Sequence, residues 1–292
     1  MTFWQAFKAG FGFLSVIPVG ITMEGIEALM KRLYLYPVVG LCLGLFIGFF
    51  SLVAQILLPS PLTAVSIMLA VYGLIWFNHL DGVSDMGDGM TAHGSLEKKR
   101  KALKDMSLGI GGVAFAVLLM LSFYSSLIAL ENTAVEIDFF SLPFAGVFSV
   151  ILPFFESSSF LSPPFLAALI LGLTVAVSEM NGKQAMLTIA AFGKSFSEGL
   201  GAMTIAGGTK KNFIIGLVFT LFFSVFLLGF LGVVCVIAST FAAFFILKIS
   251  NRHFGGLNGD GIGVANEAGR VVSIAAVAFT LYFLYGGMFW TL

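Results

Sequence analysis

Long apolar runs alternate with short polar interruptions along this chain. The runs stand at roughly 35–58, 62–80, 109–130, 139–155, 164–192, 213–231, 233–250 and 270–290. About 20 apolar residues in a helix cross the hydrocarbon core of a bilayer. Lipid offers backbone N–H and C=O groups no partner, so runs of this length are expected as helices. Residues 3–15, "FWQAFKAGFGFLS", are too short and too interrupted to span. Phe3, Trp4, Phe7 and Phe11 recur there at helical spacing, which predicts a helix lying in the membrane interface. The pattern predicts an all-α, polytopic transmembrane helical bundle, one integral membrane domain over 1–292.

Composition agrees. The chain is 59% hydrophobic and 10% charged, with a mean hydropathy of +1.03, against roughly 25% charged residues in a soluble domain. Membrane lipids are therefore expected partners. The formal net charge is zero, so no basic footprint points to nucleic acid. Cys42 and Cys235 both sit in apolar runs and read as core or lipid-facing thiols, not as a disulfide or a metal pair. No removable signal peptide is expected from the N-terminal pattern. Oligomeric state is left open, a homo-oligomer included.

Orientation follows from Lys and Arg in the short loops. They fall at 8, 31, 32, 98–101, 104, 183, 194, 210, 211, 248, 252 and 270, and none lies between 105 and 182. With 31–34 and 94–108 in the cytoplasm, "PSP" at 59–61 and the acidic "ENTAVEID" at 131–138 lie outside. If 139–155 crossed, Lys183, Lys194, Lys210 and Lys211 would be carried outward. It is therefore expected to be re-entrant or to lie at the outer surface, within an outer-face insertion over 131–165. About seven spans result, and the loops 81–108, 193–212 and 251–268 share the cytoplasmic face of a cell membrane.

Those loops hold the candidate chemistry. In "FNHLDGVSDMGDGMTAHG" (77–94), Asp81, Asp85 and Asp88 are spaced i, i+4, i+7, one face of a helix. Three like charges on one stripe repel, and a shared divalent cation relieves them. All-oxygen ligands favour Mg²⁺, Mn²⁺ or Ca²⁺ over zinc, and Mg²⁺ commonly takes phosphate oxygens as further ligands. The glycines at 82, 87 and 89 are expected to leave room for a bulky substrate. A second set lies in "FGGLNGDGIGVANEAGR" (254–270), with Asp260 and Glu267 two turns apart and Asn258 and Asn266 as neutral oxygens. A glycine-rich turn entering a helix can also cradle phosphate. Lys194 stands in a flexible loop, and Lys104 and Asp105 at the mouth of the next span. Lys98 to Lys101 read equally well as a cytoplasmic anchor, and His79 as a hydrogen-bonding partner. Facing acidic motifs with lysines suit metal-assisted displacement at phosphorus, in which cations neutralise a diphosphate and its leaving group.

The motifs themselves resemble a known family. "HLDGVSDMGDGM" is similar to the "HLDGLADTADGL" motif of cobalamin synthase, the adenosylcobinamide-GDP ribazoletransferase family. "FLSVIPVG" and "YPVVGLCLG" resemble its "FLTRIPVP" and "FPLVGLLLG". "ALKDMSLGIGGV" resembles "IMKDSRIGAFGV", and "EGLGAMT" and "GGLNGDGIGVANE" resemble "GLGxxF" and "GGxTGDxLGAxxE". Three positions depart: Ser107–Leu108 stand where the family has an Arg, Lys183 follows Gly182 in place of Arg, and Asn258 replaces a Thr.

The resemblance implies that a ribose hydroxyl of α-ribazole, or of its 5′-phosphate, attacks the cobinamide-borne phosphate of adenosylcobinamide-GDP. GMP leaves, and Mg²⁺ is required. It further implies that Asp81, Asp85 and Asp88 hold the metal, and that Asp260 and Glu267 complete a second metal site or take the proton. The catalytic candidates are thus Asp81, Asp85, Asp260 and Glu267. The substrate-binding candidates are His79, Lys104, Asp105, Lys183, Lys194 and Asn258. The competing readings are another membrane phospho-alcohol transferase, a prenyltransferase, or a divalent-cation transporter.

Overall fold

The computed structural model describes residues 2–105, 107–135, 146 and 162–285. Helices are the only regular elements among them, apart from one isolated parallel bridge between Ser195 and Leu257. The chain opens with α1 (Phe3–Leu14) and α2 (Met23–Met30). Thr2 and Gln5 form a reciprocal capping box at the start of α1, and Thr22 caps α2 through the Gly25 N–H. One face of α1 buries Ala6, Ala9 and Leu14, while Trp4 stays 71% exposed. This amphipathic division matches the expected interfacial helix.

The helices that follow carry six to seven candidate membrane spans among the described residues, with smaller helices at one end of the bundle. They are α3 (Leu35–Leu57), α4 (Ser60–Ile75), α5 (Asn78–Thr91), α6 (Leu96–Leu103), α7 (Ile110–Val135), α8 (Pro163–Phe192), α9 (Leu200–Gly207), α10 (Lys210–Leu228), α11 (Phe230–Phe254) and α12 (Gly259–Tyr285). Six of these, α3, α7, α8, α10, α11 and α12, are long and apolar enough to cross a membrane by themselves, and the bent pair α4–α5 passes the same test only when taken together, as a broken span or a re-entrant loop.

Two expected runs differ in their limits. The run 62–80 is not one helix: the chain turns by 97° between α4 and α5. The turn passes through Trp76 at φ 66°, a left-handed conformation that a non-glycine residue adopts at some cost. The last apolar residues of that run therefore belong to the aspartate-bearing helix. The final span begins at Gly259 instead of near 270. Its first polar turns looked like loop, yet their side chains are buried by neighbouring helices. Apart from Gly146, the run 139–155 lies outside the described residues. Its flanks are informative, because α7 ends and α8 begins in one apolar cluster with Leu228 and Leu231. Gly146 sits against the Gly229 turn at that same end.

At the other end the motif loops meet. The Phe196 N–H donates to the Leu257 carbonyl at 3.0 Å, and the Leu257 N–H donates to the Lys194 carbonyl at 2.8 Å. Arg100 Nε donates to the Phe254 carbonyl at 2.8 Å, with its guanidinium 4.5 Å over the Phe196 ring. The expectation that loops 81–108, 193–212 and 251–268 share one face holds in this packing.

α8 runs through the bundle centre and lies closest to α3. Gly40, Gly44 and Gly48 recur every fourth residue, so one groove of α3 receives the α8 backbone directly. A Cβ at Gly44 would lie 2.3 Å from the Ala176 carbonyl oxygen, and one at Gly48 would lie 2.3 Å from that of Gly172. In lipid, where apolar surface gains nothing by leaving the solvent, such close backbone approach is a main source of helix association. Gly48→Leu is expected to force the pair apart and lower the thermal unfolding midpoint in detergent, an overpacking cost of about 1–3 kcal/mol. Gly73→Ala is expected to leave the midpoint unchanged or raised, since nothing lies within 4 Å of a Cβ there.

Candidate active site

The acidic motif is helical, as its spacing predicts: Asp81, Asp85 and Asp88 lie on α5. The helix threads between α7 and α12, and its glycines make that possible. A Cβ at Gly82 would lie 2.8 Å from the Asp260 carbonyl oxygen, one at Gly87 2.7 Å from that of Gly111, and one at Gly89 2.7 Å from the Phe254 ring. These three glycines were expected to open space for substrate. They are buried and used up in helix packing instead.

The three aspartates divide. Asp88 turns to the start of α7, where its Oδ2 accepts from the Gly109 N–H and its Oδ1 from the Gly112 N–H, both at 2.8 Å. A carboxylate there satisfies orphan N–H groups and complements the helix dipole. Asp81 and Asp85 line an open cavity of about 410 Å³ with Ser84, Lys104, Asp105 and Ser107. Asp105 is exposed, and the Ser107 N–H donates to it at 3.0 Å. That bond holds its carboxyl below the usual carboxylate range.

Asp260 lies beside this pocket, on α12. Its backbone touches Gly82, and it acts on Asp85 with like charge, ahead of Asp81 and Asp88. Asn258 holds it by a side-chain hydrogen bond and also caps the helix, with its Oδ1 accepting from the Gly261 N–H at 3.2 Å. The Lys104 charge acts on Asp260 across the cavity mouth. The pocket itself is built from residues 81–108, and Asp260, nearly 180 residues from Asp81 in sequence, adds its charge from the neighbouring helix.

The other predicted residues lie elsewhere. Glu267 is 1% exposed, two turns deeper than Asp260. Its Oε2 accepts from Arg270 at 2.7 Å and from the Tyr72 hydroxyl at 3.1 Å. Arg270 also pairs with Glu179, and Glu179 with Lys183 at 3.3 Å. Lys183 donates to Asn266 Oδ1 at 2.8 Å, and Asn266 Nδ2 lies 3.0 Å from His79 Nδ1. Lys183 and Glu267 therefore belong to a closed ionic core and do not line the pocket. His79 fits its reading as a hydrogen-bonding partner, and it fixes the first turn of α5. Lys194 contributes its carbonyl to the loop pairing, and its side chain does not line the acidic cavity.

Sequence reasoning missed Glu179, Arg270 and Tyr72. The signal was present, since charges inside the apolar run 164–192 and at the head of the last span require partners. Ser84 and Ser107, which line the pocket, carried no such signal.

Among the described residues, no group of three or more His, Cys, Asp and Glu side chains is arranged to enclose a metal alone. The donors at the pocket are nevertheless all hard oxygens. They fit Mg²⁺, which keeps waters and takes one or two carboxylates together with phosphate oxygens. Asp81 and Asp85 are the side chains that would hold it. The like charge gathered around Asp85 is relieved either by a cation or by a proton.

The fold and the pocket define a multi-pass helical membrane protein with a polar, acidic site at one end of its bundle. Comparison with known proteins gives the family. The cobalamin-5-phosphate synthase model matches residues 6–278, and the chain belongs to that family, a transferase of cobalamin biosynthesis. A Methanosarcina mazei relative named adenosylcobinamide-GDP ribazoletransferase is 46% identical over 98% of each chain. A Methanococcoides burtonii protein of the same name is 43% identical over 99% of this chain and 98% of its own. One from Pyrococcus abyssi is 29% identical over 93% and 97%. No solved structure matches the chain.

The ionic core generates a stability prediction. Glu267→Gln leaves Arg270 under-compensated in a dry environment and is expected to cost about 3–5 kcal/mol, read as a large drop in unfolding midpoint. Lys194→Gln, at an exposed position, is expected to shift stability by no more than about 0.5 kcal/mol.

Proposed function

We propose that this protein is an Mg²⁺-dependent adenosylcobinamide-GDP ribazoletransferase. It moves the adenosylcobinamide phosphate group from adenosylcobinamide-GDP to a ribose hydroxyl of α-ribazole or α-ribazole 5′-phosphate. The acceptor oxygen forms a bond to the phosphorus borne by cobinamide. The bond from that phosphorus to the bridging oxygen of GMP breaks, and the acceptor hydroxyl gives up its proton. GMP and adenosylcobalamin, or its 5′-phosphate, are released.

The observation that carries this reading is the pocket lined by Asp81, Asp85 and Lys104, with Asp260 beside it on α12, near enough for its charge to act on Asp85. Asp81 and Asp85 would hold Mg²⁺, which supplies charge neutralisation to the diphosphate and the departing GMP. Lys104 at the rim attracts the remaining phosphate oxygens. Ser84 and Ser107 offer hydroxyl hydrogen bonds, and Asp105 an acceptor for substrate hydroxyls. In this reading Asp260, beside the pocket on α12, takes the proton of the attacking hydroxyl.

The named activity is tested by incubating purified protein with adenosylcobinamide-GDP, α-ribazole and Mg²⁺, and following GMP by chromatography. GMP is expected in equal amount to the cobalamin formed. Complete recovery of unreacted donor would overturn the reading. Asp81→Asn and Asp85→Asn are each expected to lower kcat/KM at least about 100-fold, or about 2.7 kcal/mol of transition-state stabilisation, without loss of folded protein. Asp88→Ala is expected instead to destabilise, by about 1 kcal/mol for a lost helix cap.

The orientation proposed is a cell membrane with the pocket on the cytoplasmic face. Support comes from the basic residues 31, 32, 98–101, 104, 194, 210 and 211 around the pocket end, against none between 105 and 182. In a Cys42→Ala, Cys235→Ala background, a membrane-impermeant maleimide on intact cells is expected to label Ser162→Cys and to spare Glu198→Cys. The reverse pattern would invert the orientation.

A further inference from the structure

At the same end of the bundle lies a second cavity of about 820 Å³, of opposite charge to the acidic pocket. Lys31, Arg32 and Lys211 line it with Glu27, Met30 and Tyr34. Lys31 and Arg32 follow α2, and Lys211 stands in the first turn of α10, nearly 180 residues away. Tertiary contacts join the two segments. A Cβ at Gly207 would lie 2.1 Å from the Met30 carbonyl oxygen, and Asn212 Nδ2 donates to the Gly207 carbonyl at 2.8 Å and to that of Lys31 at 3.5 Å.

Three cations against one carboxylate around a single cavity repel each other. Among the described residues the ion pairs are those of Glu179, Lys183, Glu267 and Arg270, so none of the cavity's cations is neutralised by one. Arg32 spends one donor on the Ala28 carbonyl at 3.2 Å and keeps the rest of its fork. α10 adds its N-terminal dipole, with Thr209 capping only the Asn212 N–H. Met30 and Tyr34 supply apolar and aromatic wall.

We propose that this cavity binds a phosphate ester, its anion held by Lys31, Arg32 and Lys211 and its organic part covered by Met30 and Tyr34. Unlike the acidic pocket, it takes phosphate without a divalent cation. α9 is fixed at both ends beside the cavity: Gly201 packs on Gly259 of α12, and Gly207 packs on Met30. The chemistry is shared by a soluble phosphate ester and by a phospholipid headgroup at the interface where α1 and α2 lie. The inference stands independently of the reaction proposed above.

The test uses full-length protein in neutral detergent with a chelator present, which silences metal-dependent binding at the acidic pocket. Ribose 5-phosphate is titrated calorimetrically. In a parallel arm, native mass spectrometry counts phosphatidylglycerol retained from mixed phosphatidylcholine–phosphatidylglycerol bicelles. The double variant Lys31→Gln, Lys211→Gln is expected to weaken binding at least about tenfold, as charge-assisted contacts require. Lys210→Gln removes the same charge next to the cavity without lining it and is expected to change binding less than about twofold. Weakening confined to ribose 5-phosphate identifies a soluble ester. Weakening confined to phosphatidylglycerol identifies a headgroup, and weakening of both supports the shared phosphate chemistry. Absence of saturable binding of either probe, or an equal effect of Lys210→Gln, overturns the site.

Discussion

Four charges buried between α8 and α12 set the terms for the rest of the molecule. Glu179, Lys183, Glu267 and Arg270 are each at most 1% exposed, and an isolated ion in such a place is very costly. Each is tolerated only because the others are there, two acids against two bases. That requirement fixes α8 and α12 in one register, since a slip of a single turn would leave a charge without its partner. Tyr72 ties α4 into the set through Glu267, and Asn266 ties in α5 through His79. Lys183 also packs against Gly40, so α3 shares the same registration.

The acidic pocket inherits its geometry from this core. α5 is short and polar, and it could not hold a fixed position by hydrophobic burial alone. It is held at its start by His79, along its length by glycines that admit α12, α7 and Phe254, and near its end by Asp88 capping α7. Only Asp81 and Asp85 remain directed to the cavity, and Asp260 joins them because Gly82 lets α12 approach. The same sequence feature, a row of carboxylates and glycines, thus serves two ends. Some members build the site and others do the chemistry.

Charge is sorted along one end of the bundle. The acidic cavity is lined by residues 81–108, whereas the basic cavity joins the α2 end to the start of α10, segments far apart in the chain. A diphosphate donor suits the first through a bridging cation, and a phosphate ester suits the second directly. Arg100, with its hydrogen bond to Phe254 and its stacking on Phe196, joins α6 to the paired loops and so keeps the Lys104–Ser107 rim over the pocket.

The sequence by itself determined the membrane class, the helical architecture and the gathering of the polar motifs at one end. These follow from hydropathy and helical spacing, which are local and additive along the chain. The helical face of Asp81, Asp85 and Asp88 was legible for the same reason. What only the tertiary structure decided was which polar residues are spent on one another. Asp260 and Glu267 sit in similar surroundings, two turns apart on one helix, and the spacing treated them alike. Depth in the bundle separates them: Asp260 stays partly exposed at the start of α12, whereas Glu267 meets Arg270 and Tyr72 in a dry interior. Lys183 and Lys194 divided in the same way. The bend at Trp76 and the joining of Lys31 to Lys211 were equally out of reach. Partner choice depends on contacts between residues distant in sequence, and no local pattern encodes them.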